Sequence, residues 1–229
     1  MSTLEQPTRK RIRSFVRRQG RITQAQALAL ENLWPIYGLD PKEPFDVGRA
    51  FSRDAPLTVE IGFGNGESLA KMAAAAPEEN FLGIEVHRPG VGHLLLKVEE
   101  LVLSNIRVYC ADAVEILQDK LADQSLAGIQ VFFPDPWHKK RHHKRRLIAP
   151  EFVNLAARKL KSGGIFHAAT DWEDYARQML EVLEGCEGLS NAAGENSFSE
   201  RPDHRPLTKF EARGQNLGHR VWDLVFVRN

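Results

Sequence analysis

Cysteine is nearly missing from this chain, with Cys110 and Cys186 the two present among 229 residues. Neither sits in a short Cys/His spacing, which argues against a disulfide framework and against a structural zinc site. Long apolar runs are missing as well. No stretch approaches the roughly 20 apolar residues that cross a bilayer. The arginines near the start have no apolar segment behind them, so neither a signal peptide nor an anchor is expected, and the predicted location is the cytoplasm. Net charge is small, only +1, which excludes a uniformly basic or acidic protein. That total conceals two basic clusters: Arg9, Lys10, Arg11, Arg13, Arg17, Arg18 and Arg21 at one end, and residues 139–146 further on. Residues 1–20 are polar and without periodicity, and read as a mobile basic arm. With 42% of the chain hydrophobic, residues 21–229 suffice for one α/β domain with a buried core.

That domain is organised around Thr58-Val59-Glu60-Ile61-Gly62-Phe63-Gly64-Asn65-Gly66-Glu67. A β-branched run, glycines on alternate positions and then helix formers spell a strand, a tight turn and a helix. Glycine lets the chain turn sharply at the strand's end and lets a ligand lie against the backbone. The spacing of Gly62, Gly64 and Gly66 is G-x-G-x-G, not the dinucleotide fingerprint, and no Lys-Ser or Lys-Thr follows to make a phosphate loop. Glu60 at the strand tip suits a ligand ammonium, and the amides opening the next helix suit its carboxylate. S-adenosylmethionine carries both. The bland alternative is a glycine turn that binds nothing.

Strand and helix patterns then alternate. Strands are expected at residues 81–86, 106–110, 129–133 and 165–169, and a last one at 221–227. Between them, Val91, Leu94, Leu95, Val98 and Leu101 share one helical face, as do Phe152, Leu155, Ala156 and Leu160, the latter stopped by Gly163-Gly164. A helix is also expected over residues 172–183. Ahead of the first strand, Thr23 and Gln26 have capping-box spacing for a helix that Trp34-Pro35 ends, and residues 38–56 read as a loop. The alternation predicts an α/β fold, a doubly wound and mostly parallel sheet closed by an antiparallel C-terminal strand, with ligands at the carboxyl ends of the strands. Glu60, Glu85, Asp112, Asp135 and Asp171 all fall at or just past such ends. Each alone reads as readily as a helix cap or loop acid; together they predict an active-site rim. Glu85 is placed to accept ribose hydroxyls, and Asp112, between Ala111 and Ala113, to receive an adenine amino group.

The substrate half is marked by residues 133–146, Phe-Pro-Asp-Pro-Trp-His-Lys-Lys-Arg-His-His-Lys-Arg-Arg. Two prolines stiffen the turn carrying Asp135, and Trp137 offers a flat face for a base. Lys139 and the cations after it offer charge for phosphates, as an enzyme acting on one base of a folded RNA would need. The alternative is a solvated charged loop, although no acid is interleaved to relieve the repulsion. His138, His142 and His143 are unsuited to a metal among so many cations, so none is expected. Residues 205–214 read, on composition alone, as a surface loop able to return over the pocket.

The motifs Val59-Glu60-Ile61-Gly62-Phe63-Gly64-Asn65-Gly66, Gly83-Ile84-Glu85-Val86-His87-Arg88-Pro89-Gly90, Phe133-Pro134-Asp135-Pro136-Trp137-His138-Lys139 and Thr208-Lys209-Phe210-Glu211 resemble the bacterial tRNA (guanine-N7)-methyltransferases. The likeness runs from about Arg13 onward, but no motif covers the first ten residues or residues 38–56. It implies a Rossmann-like class I methyltransferase that modifies guanine 46 of the tRNA variable loop with S-adenosylmethionine. It further implies that Glu60, Gly62, Gly64, Gly66, Glu85, Asp112 and Asp135 bind the cofactor, and that Asp135 is catalytic. Lys139, Asp171, Thr208, Lys209, Phe210 and Glu211 would bind substrate, with Arg141, His142, His143, Lys144, Arg145 and Arg146 on the RNA. The partner implied is tRNA, with no membrane and a monomer as the expected state. Two other readings share parts of the pattern. An NAD-dependent oxidoreductase has the same sheet and ribose acid, but lacks the last glycine of its fingerprint and leaves the basic run unexplained. A non-catalytic RNA-binding protein would lose affinity by setting several carboxylates near phosphates.

Overall fold

The computed structural model describes residues 13–15, 20–207, 211–212, 218 and 220–229. Its centre is a seven-stranded sheet in the order β3-β2-β1-β4-β5-β7-β6. Strands β1 (Leu57–Ile61), β2 (Asn80–Ile84), β3 (Ile106–Tyr109), β4 (Leu126–Phe132) and β5 (Leu160–Thr170) run parallel. β7 (Trp222–Arg228) returns antiparallel between β5 and the short β6 (Leu189–Asn191). All five residues of β1, and all five of β2, are buried. Burial of every residue, the polar Thr58, Glu60 and Asn80 included, is what a parallel sheet covered on both faces produces.

Helices supply those covers. α4 (Glu67–Ala75) and α5 (Arg88–Glu100) carry one core cluster with Leu69, Phe81, Val91, Leu94 and Leu95. α6 (Ala113–Asp119), α7 (Pro150–Lys159) and α8 (Glu173–Glu184) contribute to the other with Leu117, Phe152, Leu155, Tyr175 and Met179. The reversal of strand order falls between β1 and β4, so ligands are expected in the crevice beyond their carboxyl ends. Among the described residues no helix is long and apolar enough to cross a membrane.

Several local expectations shift. The capping box forms as read: Gln26 N–H donates to Thr23 Oγ1 at 3.3 Å and Thr23 N–H to Gln26 Oε1 at 2.9 Å. Its helix α1 (Gln24–Asn32), however, ends before Trp34, and Pro35 lies in the first turn of a new short helix α2 (Trp34–Tyr37). A proline is tolerated there because that amide has no acceptor within the helix. The expected loop 38–56 contains α3 (Val47–Phe51), capped by Asp46, whose Oδ1 accepts from Arg49 N–H at 2.6 Å. Gly163-Gly164 do not stop a helix. α7 ends at Lys159, and the glycines lie inside β5, Gly163 at φ +75°, near where the pairing with β4 slips register. Glycine there eases a strand irregularity.

Candidate active site

The glycine turn has the geometry its sequence implies. Gly62, Gly64 and Gly66 have φ of +69°, +59° and +74°, which side chains rarely adopt. A Cβ built on Gly62 or Gly64 would meet nothing within 4 Å, so the backbone there borders open space. A Cβ on Gly66 would instead strike Leu94 at 2.6 Å; that glycine serves the packing of α4 on α5. Gly90, in the first turn of α5, fits so closely that its Cβ would lie 2.0 Å from the Gly64 carbonyl oxygen.

Glu85, just past β2, ties this corner together. Its Oε2 accepts from Gly64 N–H at 2.9 Å and its Oε1 from Val86 and His87 N–H at 2.6 and 2.9 Å. Asp112 caps α6, its Oδ1 accepting from Val114 N–H at 3.0 Å. The capping role and the pocket role coexist: Glu85, Asp112, Asp135, Lys139 and His142 all line one cavity of about 750 Å³. Ser14 and Phe15 from the arm line the same cavity, and the Trp137 indole N–H donates to Ser14 O at 3.1 Å.

A second cavity of about 300 Å³ shares Gly62 and Phe133 with the first and holds Gly64 and Glu60. Glu60 is buried and its Oε2 has no hydrogen-bond partner among the described residues. Burial, then the neighbouring Glu85 charge, push its pKa up to about 8. A buried acid with an unmet oxygen, opening on a glycine cradle, fits a cationic ligand group. Gly66 borders neither cavity, and Asp171, just past β5, also lines neither. The ring of the adjacent Trp172 meets that of His138 at 4.2 Å, which joins the end of β5 to the Asp135 turn.

The basic run folds as a 3-10 turn over Lys140–Arg145. Arg141 and Lys144 point to solvent, and His142 and His143 are half-buried. Four nearby cations add to partial burial in holding the His142 pKa below its usual value. Two residues of this region depart from expectation. Arg146 is turned inward: its Nε–H donates to Pro136 O at 2.9 Å, its Nη2 lies 2.5 Å from Asp174, and its guanidinium covers the Tyr175 ring at 4.7 Å. It is a strut for the Asp135 turn. Trp137 is not an open platform either, since Arg145 covers its ring at 5.0 Å and His142 meets it edge-on at 5.9 Å. Replacing Arg146 with Met should therefore lower stability by about 1.5–3 kcal/mol, the worth of its charge-assisted bonds. The salt dependence of RNA binding should not move, and thermal melts beside binding at several salt concentrations check both.

Thr208, Lys209 and Phe210 lie outside the described residues. Glu211 is inside them and buried, its two oxygens each 2.7 Å from the Arg205 guanidinium. Arg205 also grips Asp223 on β7, at 2.7 and 2.9 Å, and lines the smaller cavity with Glu60. His167 on β5 shares Asp223, its Nε2 at 2.8 Å, and its Nδ1 faces His204 Nε2 at 3.2 Å. Burial lowers the pKa of both histidines. Sequence reasoning gave none of these four residues a role. The available signal was an ionisable residue in each of two apolar strands, His167 and Asp223, which burial would force to find partners.

Known proteins resemble this sequence and this fold. A family model described as "Putative methyltransferase" matches residues 54–224. A tRNA (guanine-N(7)-)-methyltransferase of Methylococcus capsulatus is 64% identical over 220 residues, 96% of this chain and 95% of that one. One of Serratia proteamaculans is 58% identical, over 96% and 92%. The chain belongs to the tRNA (guanine-N7)-methyltransferase family. The oxidoreductase and non-catalytic readings are set aside with that. Solved structures agree on the fold: the 16S rRNA methyltransferase KamB superposes with TM-score 0.61 at 16% identity, covering 82% of this chain and 95% of that one. The aminoglycoside resistance methyltransferase NpmB1 gives 0.53 at 14%, covering 83% and 94%. Among the described residues, no group of three or more His, Cys, Asp or Glu is gathered to hold a metal.

Proposed function

We propose that this protein transfers a methyl group from S-adenosylmethionine to N7 of a guanine in tRNA, guanine 46 of the variable loop, with residues 21–229 as the catalytic unit and the arm, residues 1–20, assisting on RNA. The observation that carries this is the joining, at Gly62 and Phe133, of an acid-walled nucleoside-sized cavity to a small cavity holding the unmet Glu60 oxygen, with the basic 3-10 turn at the rim. The residues present fit the cofactor. Glu60 would take the ammonium, Gly62 and Gly64 the backbone approach, Glu85 the ribose and Asp112 the adenine. Bound there, S-adenosylmethionine supplies an electrophilic methyl on a sulfonium. Guanine N7 carries a lone pair and no proton, so the protein has no base work to do there; it aligns the base and stabilises a purine becoming cationic. Asp135 and Asp171 are the acids proposed for that, with Lys139 and residues 208–211 completing the substrate side. Mass analysis of nucleosides from tRNA incubated with protein and S-adenosylmethionine should show 7-methylguanosine at that one position. Its absence, together with tight NAD binding, would overturn the reading.

Glu60 adds a pH dependence. Its pKa of about 8 leaves the carboxyl protonated at neutral pH, and an ammonium against it favours the carboxylate. Binding at pH 6.5 should release a proton, seen as buffer-dependent heats in calorimetry, and affinity should climb as pH rises towards about 8. Stability of the unliganded protein runs the other way. A carboxyl whose folded pKa lies above its unfolded value contributes less as pH rises from the ordinary value of 4.5 to about 8. Glu60→Gln should thus melt higher than wild type at pH 8.5 while weakening cofactor binding, roughly 10- to 150-fold for removal of one charge-assisted bond.

A further inference from the structure

With Trp137 covered, the flat face that a base needs has to come from another ring. Of the four tryptophans, Trp34 packs against Gly38 and the cluster of α4 and α5, Trp137 lies under Arg145, and Trp222 lies under Arg220 at 5.6 Å. Trp172 is the exposed one, at 39%. Its place is fixed on three sides. The Trp172 amide N–H donates to Thr170 Oγ1 at 3.2 Å, its carbonyl accepts from Ala176 N–H at 2.9 Å at the start of α8, and its ring meets that of His138 at 4.2 Å with an interplanar angle of 77°. His138 lines the larger cavity with Asp135, and Asp171 directly precedes Trp172 in the chain. An exposed indole thus stands beside Asp171 and, through His138, at the rim that carries Asp135.

We propose that Trp172 is the base-stacking residue of the substrate side: the guanine that receives the methyl group lies on its indole. The inference rests on the function proposed above and names the surface that holds the base. Three considerations support it. A base presented to an enzyme leaves its own stack, and an aromatic side chain replaces the contact that is lost. Next, the fold does not need the indole as core. It belongs to neither buried cluster, and α8 packs on the sheet through Tyr175, Ala176, Met179, Leu180 and Leu183. Last, the reaction favours a ring at that place. The N7 lone pair forms a bond to the methyl carbon as the carbon–sulfur bond breaks, so positive charge passes from the sulfonium to the purine and no proton moves. A tryptophan face attracts a cation through its ring quadrupole, so a guanine stacked on it is held more tightly as it becomes methylated. Asp135 and Asp171 then act on the edge of the base while Trp172 acts on its face.

Binding and single-turnover methylation of wild type, Trp172→Ala and Trp172→Phe on two tRNAs test this, one tRNA intact and one with an abasic residue in place of the methylated guanine. Trp172→Ala should weaken binding of the intact tRNA by roughly 5- to 150-fold, as expected for one stacked base, and should bind the abasic tRNA within about twofold of wild type. Trp172→Phe keeps a smaller ring and should fall between. At saturating intact tRNA the single-turnover rate of Trp172→Ala should drop by a further factor of about 2 to 30 through the lost attraction for a cationic purine. S-adenosylmethionine affinity and thermal melting should match wild type, since the ring lines neither cavity and joins neither core cluster. An equal loss on intact and abasic tRNA overturns the proposal, because Trp172 then meets another part of the RNA. So does intact tRNA that Trp172→Ala binds and methylates as wild type does. The ratio of the two tRNA affinities is taken within one protein, so it holds even where a variant folds less completely. Wild-type protein that makes no 7-methylguanosine sinks the proposed function; wild-type protein that makes it, with the same affinity ratio in Trp172→Ala, sinks the stacking role alone.

Discussion

Asp135→Asn is expected to slow single-turnover methylation by on the order of a hundredfold or more, while tRNA affinity changes little. Asparagine keeps the outline and some hydrogen bonding of the side chain but carries no charge, and charge is what a purine turning cationic at N7 needs nearby. The turn is built to hold that carboxylate still. Phe133 and Trp137 adopt left-handed backbone at φ +50° and +48°, Pro134 and Pro136 fix the links between them, and Arg146 grips the Pro136 carbonyl. Asp135 emerges exposed on the wall of the larger cavity. Because N7 has no proton to remove, the rate should rise as the acids ionise and then level off, with no basic limb near neutrality. Wild-type single-turnover rates in the asparagine variant, at saturating cofactor and tRNA, would move the role to Asp171.

The second large effect concerns salt. Lys140, Arg141 and Lys144 project from the 3-10 turn into solvent with no acid interleaved. Neutralising all three should shallow the log–log dependence of tRNA affinity on salt by roughly one unit for each phosphate that no longer meets a cation. S-adenosylmethionine affinity should stay as it was, since none of the three lines either cavity. An unaltered slope would mean the run is a solvated loop. Arg146 is left out of this set because its guanidinium faces inward, 2.9 Å from Pro136 O.

That difference between Arg146 and its neighbours shows where sequence reading ends. The strands, the glycine turn and four of the five strand-end acids, Glu60, Glu85, Asp112 and Asp135, could be placed on the cavities because each follows from a local rule: a β-branched run, a forced φ, a residue at the carboxyl end of a strand. A run of six cations within eight residues has no period that says which one turns inward; only the position of Pro136 and Tyr175 decides it. The Arg205 cluster was hidden for a related reason. Its members, His167, His204, Arg205, Glu211 and Asp223, are up to 56 positions apart and meet only once β5 and β7 have paired. Asp171 is the fifth of those acids. It occupies the same slot at the end of β5, two places from β1 in the sheet, and lines neither cavity.

The strand order also governs when the molecule can finish folding. Among the described residues β6 pairs in the sheet with β7 alone, and β7 must slide between β6 and a strand already formed. Until residue 228 has left the ribosome, a nascent chain carries β5 as an open edge, with the backbone groups of residues 165–170 that β7 pairs left open along it. Such an edge is a template for pairing with another chain, and the pairings that close it span some sixty residues, which slows the last step. Chaperone dependence and aggregation during synthesis should therefore respond most sharply to changes in β7, even at positions far from either cavity.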